Sequence, residues 1–201
     1  TQSFVEPAYG PRGLAAMRMG TSAPDALAAL NSADAQRDVR QVAFVDSSGL
    51  VAAHTGRGCI EAAGHELGDG FSVQANMMAS DAVWPAMAAA YSAGLATRDL
   101  ADRLLAALVA AQEAGGDFRG EQSAAILVVD GATTDHPWEA RIDLRVEDHP
   151  DPIGELARLV ALQRAYDLMN DGDAAVAAGD WDRALTAYAG AAAKAPHIVE
   201  L

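Results

Sequence analysis

The chain has 201 residues, 51% of them apolar, and a formal net charge of −14. That length suffices for one domain with its own core plus a small appendage. The acidity argues against nucleic acid and anionic membrane surfaces as partners, because both call for a basic footprint. No apolar run approaches the about 18 residues of a spanning helix, and no basic-then-apolar leader opens the sequence. Cys59 is the only cysteine, so no internal disulfide can form, and a reducing, cytoplasmic setting is the default. Lys194 is the only lysine. The sequence opens at Thr1 rather than at methionine, which reads either as processing or as a fragment end.

In chain order, Gly10-Pro11-Arg12-Gly13 reads as a turn and Leu14 to Met19 as a short helix stopped by Gly20. Ser22-Ala23-Pro24-Asp25 is a helix start: Ser22 can cap, and Pro24 lies where no N–H is needed. Val42 to Val45 and Leu50 to His54 flank Asp46-Ser47-Ser48-Gly49 and predict a hairpin. Gly56 to Gly70 reads as a glycine-rich loop, and Phe71 to Ala75 as a third strand. Asp81 to Ala93 and Asp99 to Ala114 carry apolar residues at the 3.6-residue period of helices. After the Gly115–Gly120 break, Ala124 to Val129 predicts a strand buried on both faces, and Trp138 to Val146 an alternating one.

Asp148-His149-Pro150-Asp151-Pro152 marks a domain boundary, giving domains 1–150 and 151–201. Beyond it Gly172, Gly179-Asp180-Trp181, Ala184, Tyr188, Ala191 and Pro196 have the spacing of one tetratricopeptide-like helical hairpin. The absence of regular βαβ alternation argues against a Rossmann sheet, and the expected class is α+β with mostly antiparallel sheets.

Several residues could carry chemistry. A free amino-terminal threonine can serve as a nucleophile with its own amine as base, so Thr1 is one candidate; the alternative is a chance fragment end. His54, Cys59 and His65 cluster near the glycine-rich stretch, but their spacing matches no zinc site and no fourth ligand is evident, so no metal is expected. His65-Glu66-Leu67-Gly68-Asp69 departs from the zinc-protease helix motif at Asp69. Gln74 and Asn76 alternate onto one face at a strand end, where side-chain amides can hold a carbonyl oxygen or an oxyanion; the alternative is that they satisfy loop backbone. Asp117, Arg119, Gln122 and Ser123 crowd a loop entering a core strand, a place where sites gather.

These stretches also occur together in one combination: Thr1-Gln2-Ser3-Phe4 with Tyr9-Gly10-Pro11-Arg12-Gly13-Leu14, His54-Thr55-Gly56 with Cys59 and Ala63-Gly64-His65, Phe71 to Asn76, Gly115 to Gly120 with Gln122-Ser123-Ala124, and Asp143 to Val146 with Asp148-His149. In this combination residues 1 to 152 resemble the bacterial and archaeal family called domain of unknown function 1028. The resemblance implies an N-terminal-nucleophile (Ntn) hydrolase fold, an αββα sandwich, followed by a C-terminal appendage. It also implies about two further strands before Thr1, which would make Thr1 an internal residue at a strand end.

The reading is therefore an Ntn-type amide hydrolase acting on a small amide or peptide, without a cofactor. Thr1, Asp117 and Ser123 are its catalytic candidates, and Gln2, Ser3, His54, Gln74 and Asn76 its substrate-binding candidates. The rival reading is a non-catalytic scaffold that binds a protein partner, or a second copy of itself, through the helical hairpin.

Overall fold

Asp46 shows how a few side chains organise the start of the fold. Its Oδ1 accepts the backbone N–H groups of Ser48 (2.9 Å) and Leu50 (3.1 Å), closing a turn that Gly49 completes at φ +80°. Its Oδ2 accepts the N–H of Ala23 at 2.9 Å, at the start of a helix that Ser22 caps through the N–H of Asp25. These N–H donors, Ala23 foremost, hold the Asp46 carboxyl below its ordinary value.

The computed structural model describes residues 4–132, 135–136 and 138–198. Two compact units divide the chain, Thr1–Glu121 and Gln122–Leu201. The first contains α1 (Tyr9–Arg18), α2 (Ala23–Ala33), β1 (Gln41–Val45), β2 (Val51–Thr55), β3 (Gly64–Gly68), β4 (Phe71–Ala75), α3 (Val83–Ala93) and α4 (Leu100–Glu113). The second contains β5 (Ala124–Val128), β6 (Ile142–Val146), α5 (Pro152–Ala177) and α6 (Trp181–Lys194). Each consecutive strand pair, β1–β2, β3–β4 and β5–β6, forms an antiparallel ribbon. The α+β class is thus observed.

Within the first unit the two faces of the β1–β2 ribbon have different neighbours. Val42, Phe44 and Ala52 pack against Tyr9, Leu27 and Leu30 of α1 and α2. Gln41, on the alternate face, reaches the carbonyls of Gly64 in β3 and Ala75 in β4. Helix α3 packs on β3 and β4. The order is therefore helices, ribbon, ribbon, helices.

Three expectations are corrected. The stretch Gly10 to Gly13 lies inside α1; Pro11 falls in the first turn, where no N–H is needed, and an added Cβ on Gly13 would collide with the Phe44 ring. The Gly56–Gly70 stretch contains β3, whose Gly64 lets the Trp84 indole lie against the backbone. Strand β5 is buried on one face rather than two: Ile126 and Val128 are buried, whereas Leu127 is 58% exposed. A ribbon packed by α5 has a covered face and an open one.

In the second unit α5 and α6 form an antiparallel hairpin turned at Gly179, whose φ is +74°. Asp180 caps α6 by accepting the N–H of Arg183, and Asp151 caps α5 through the N–H of Gly154. The expected boundary around Asp148 to Pro152 falls within this unit, at the start of α5. Among the described residues no helix is long and apolar enough to cross a membrane.

Candidate functional site

The strand end at Gln74 to Asn76 is the centre of the candidate site. Past Ala75 the chain turns through Met77, at φ +63°, and is pinned from two sides. Met78 exchanges two backbone hydrogen bonds with Ala62 (3.1 Å each). On the other side Phe118 N–H donates to Met77 O (3.0 Å) and Ala79 N–H to Gly116 O (2.9 Å). These bonds bring the 115–120 loop, and with it Asp117, beside Asn76. The sequence separates them by some forty residues; the ladder removes that separation.

A cavity of about 580 Å³ results, lined by Gln74, Asn76, Asp117 and Arg119, with Met77, Met78, Val83 and Met87 as apolar wall. Gln74 Oε1 is buried there without a hydrogen-bond partner. Native interiors rarely tolerate such an orphan, and this one is enclosed beside the cavity rather than open to it. Asn76 is 8% exposed, and its Nδ2 donates to Gln41 Oε1 at 2.7 Å.

Asp117 accepts from Arg119 twice through Oδ1, from the backbone N–H (2.8 Å) and from Nε (2.9 Å), and once through Oδ2, from Nη2. The Arg119 side-chain hydrogen bond holds the Asp117 carboxyl below its ordinary range. At neutral pH it is an ionised anchor and a weak base. That suits it to charge pairing, or to holding Arg119, rather than to proton transfer.

The other candidates fall elsewhere. His54 pairs across the ribbon with Val42, on the helix-facing side, and its Nε2 lies 2.8 Å from Arg37 O. Adjacent strand residues point to opposite faces, so His54 does not line the Gln74 cavity; its neighbour Thr55 shares a face with Gln41. Ser123 is exposed ahead of β5 in the second unit. Thr1, Gln2 and Ser3 lie outside the described residues. Cys59 is buried, donates Sγ–H to Arg40 O at 3.3 Å, and has its thiol pushed up by burial, the state of an inert cysteine. Among the described residues no three His, Cys, Asp or Glu side chains come together as a metal site.

Sequence reasoning missed Gln41. It is 1% exposed, and its Nε2 bonds Ala75 O (2.9 Å), Thr55 Oγ1 (3.1 Å) and Gly64 O (3.2 Å) while its Oε1 takes Asn76. The available signal was a polar residue heading an otherwise apolar strand. A second cavity, of about 360 Å³, is lined by Thr55 of this network and by Arg57, Cys59, Glu61, His65 and Trp84, among others.

No curated protein matches the chain. Among solved structures it is similar to a protein of Silicibacter pomeroyi that carries the model of a family of unknown function. The two are 32% identical with a TM-score of 0.67, over 79% of this chain and 68% of that one. The model of that family of unknown function, DUF1028, matches residues 1–156, and the chain belongs to it.

Proposed function

We propose that the chain is an Ntn-type amide hydrolase, cytoplasmic, that holds a small amide or peptide in the Gln74 cavity. The observation that carries this reading is the cavity that brings Gln74 and Asn76 together with Asp117 and Arg119. Gln74 Oε1, enclosed and unpartnered at rest, becomes an acceptor for a substrate amide N–H once the side chain turns into the cavity. Asn76 and the Asp117–Arg119 pair lie in the same cavity and supply polar contacts at its rim. The helices–ribbon–ribbon–helices order of the first unit agrees with an Ntn-like sandwich. The nucleophile is sought at Thr1, with Gln2 and Ser3 as its neighbours; Ser123 belongs to the second unit and is not assigned to this cavity.

The test is a panel of primary amides and aminoacyl 4-nitroanilides, with ammonia or amine release as the readout. Turnover that falls at least tenfold in Gln74→Leu and Asn76→Ala supports the reading, and loss of turnover in Thr1→Ala with Ser123→Ala unaffected identifies Thr1 as the nucleophile. Absence of turnover across the panel, or turnover indifferent to Gln74 and Asn76, overturns it.

A second reading, a binding scaffold using the tetratricopeptide-like hairpin, is favoured by one observation. Trp181 (69% exposed) and Leu185 (71% exposed) are four residues apart on α6 and share a face. Trp181→Ala with Leu185→Ser tests it by sedimentation: loss of self-association, with amide turnover intact, would assign the hairpin to assembly rather than to chemistry.

A further inference from the structure

Among the described residues, the side-chain hydrogen bonds through Gln41 run in one direction. Asn76 Nδ2–H donates to Gln41 Oε1 (2.7 Å), and Gln41 Nε2–H donates to Thr55 Oγ1 (3.1 Å). Thr55 Oγ1 in turn lies 2.8 Å from His65 Nδ1. The Gln41 amide cannot be turned over, because its nitrogen also faces the carbonyls of Ala75 and Gly64, and an oxygen there would meet two oxygens. The hydroxyl of Thr55 therefore cannot donate to Gln41, whose nitrogen is a donor only. His65 Nδ1 is the acceptor within reach of the hydroxyl's one proton among the described residues, which favours a bare Nδ1. Aligned donors of this kind reinforce one another in a poorly solvated interior.

The consequence lies at the other ring nitrogen. With Nδ1 accepting, the neutral ring carries its proton on Nε2. Nε2 has no partner among the described residues, and it is not among the buried unpartnered atoms, so it reaches open space. His65 lines the second cavity beside Arg57 and Trp84, two further donor side chains. Burial, and secondarily the nearby His54, lower the His65 pKa, in keeping with a neutral ring.

We propose that this second cavity binds a ligand oxygen, carbonyl or carboxylate, through the Nε2–H of His65, and that the Asn76–Gln41–Thr55 chain acts as a positioning relay fixing that tautomer. The site is distinct from the Gln74 cavity and does not depend on amide hydrolysis there.

The experiment is long-range ¹H–¹⁵N NMR of the histidine rings in the full chain at neutral pH, with His65 assigned from the spectrum of His65→Gln. The expected result is a bare Nδ1 and a protonated Nε2. A ring protonated on Nδ1, or charged, overturns the proposal without any variant having to fold. Thr55→Val, nearly isosteric, is expected to release the lock and move both ring nitrogens; an unchanged tautomer removes the relay. Titration with N-acetylglycine and with N-acetylglycine amide then separates a carboxylate from a neutral carbonyl. A shift of the Nε2 resonance with at least one of them is expected, and no shift with either overturns the site.

Discussion

The two units of this chain are held together in different ways. In the first, the most informative buried residues are polar. Arg40, 6% exposed, donates to Asp34 Oδ2 (2.9 Å), Gln36 Oε1 (3.0 Å) and Phe4 O (2.7 Å), and Gln41 beside it ties two ribbons together. In the second, the α5–α6 contact is made by small residues: Ala175, Ala184, Ala187 and Ala191 are buried, and Gly172 lies under the Tyr188 ring. Polar networks specify one arrangement and leave cavities beside them, whereas alanine and glycine contacts allow close approach and leave little room for a ligand. Chemistry is therefore expected in the first unit, and surface recognition in the second.

The strongest way to break this contrast is Gln41→Leu. It removes one buried hydrogen bond from Asn76 and one each from the carbonyls of Gly64 and Ala75, at about 1 kcal/mol or more each. A loss of about 3 kcal/mol in urea unfolding is expected, together with loss of the His65 tautomer. A loss below about 1 kcal/mol would mean that water replaces the amide freely.

The second unit offers a paired test. At Gly172 an added Cβ would lie 2.6 Å from the Tyr188 ring, whereas at Gly190 it would meet the flexible Leu168 side chain at 3.3 Å. Alanine favours a helix over glycine by about 1 kcal/mol, and overpacking costs about 1–3 kcal/mol. Gly172→Ala is thus expected to lose about 1 kcal/mol net and Gly190→Ala to be neutral or stabilising, read from thermal midpoints. Equal effects would show that the crossing at Gly172 is not close in solution.

Gln74→Leu sharpens the comparison from the other side. Removing a buried oxygen that has no protein partner is expected to stabilise the fold by about 1 kcal/mol while abolishing ligand capture in the first cavity. Destabilisation would show that the oxygen is already satisfied.

The smallest effect concerns pH. The lowered pKa of His65 means that the unfolded chain binds more protons than the folded one below the ordinary value of 6.5. Stability is therefore complete above that value and is lost as pH falls from it towards the lowered folded value. Urea midpoints of the wild type and His65→Gln are expected to converge as pH falls from about 7 to about 5. A constant gap would remove the shift.

Local chemistry was legible in the sequence. The Ser22 cap, the Asp46 turn, the period of α4, the glycine in the α5–α6 turn and the family resemblance all rest on neighbours within a few residues. So did the pairing of Gln74 and Asn76 as amides at a strand end. Tertiary structure alone decided which strand face met which partner. His54 and Thr55 are adjacent, yet one meets Arg37 on the helix side and the other joins Gln41, because strand neighbours diverge by half a turn. It also brought the Trp84 indole against Gly64 in β3, a contact that no pattern local to that stretch encodes. Gln41 was hidden for the same reason: a buried amide is costly until partners from distant segments converge on it, and no local pattern encodes their convergence.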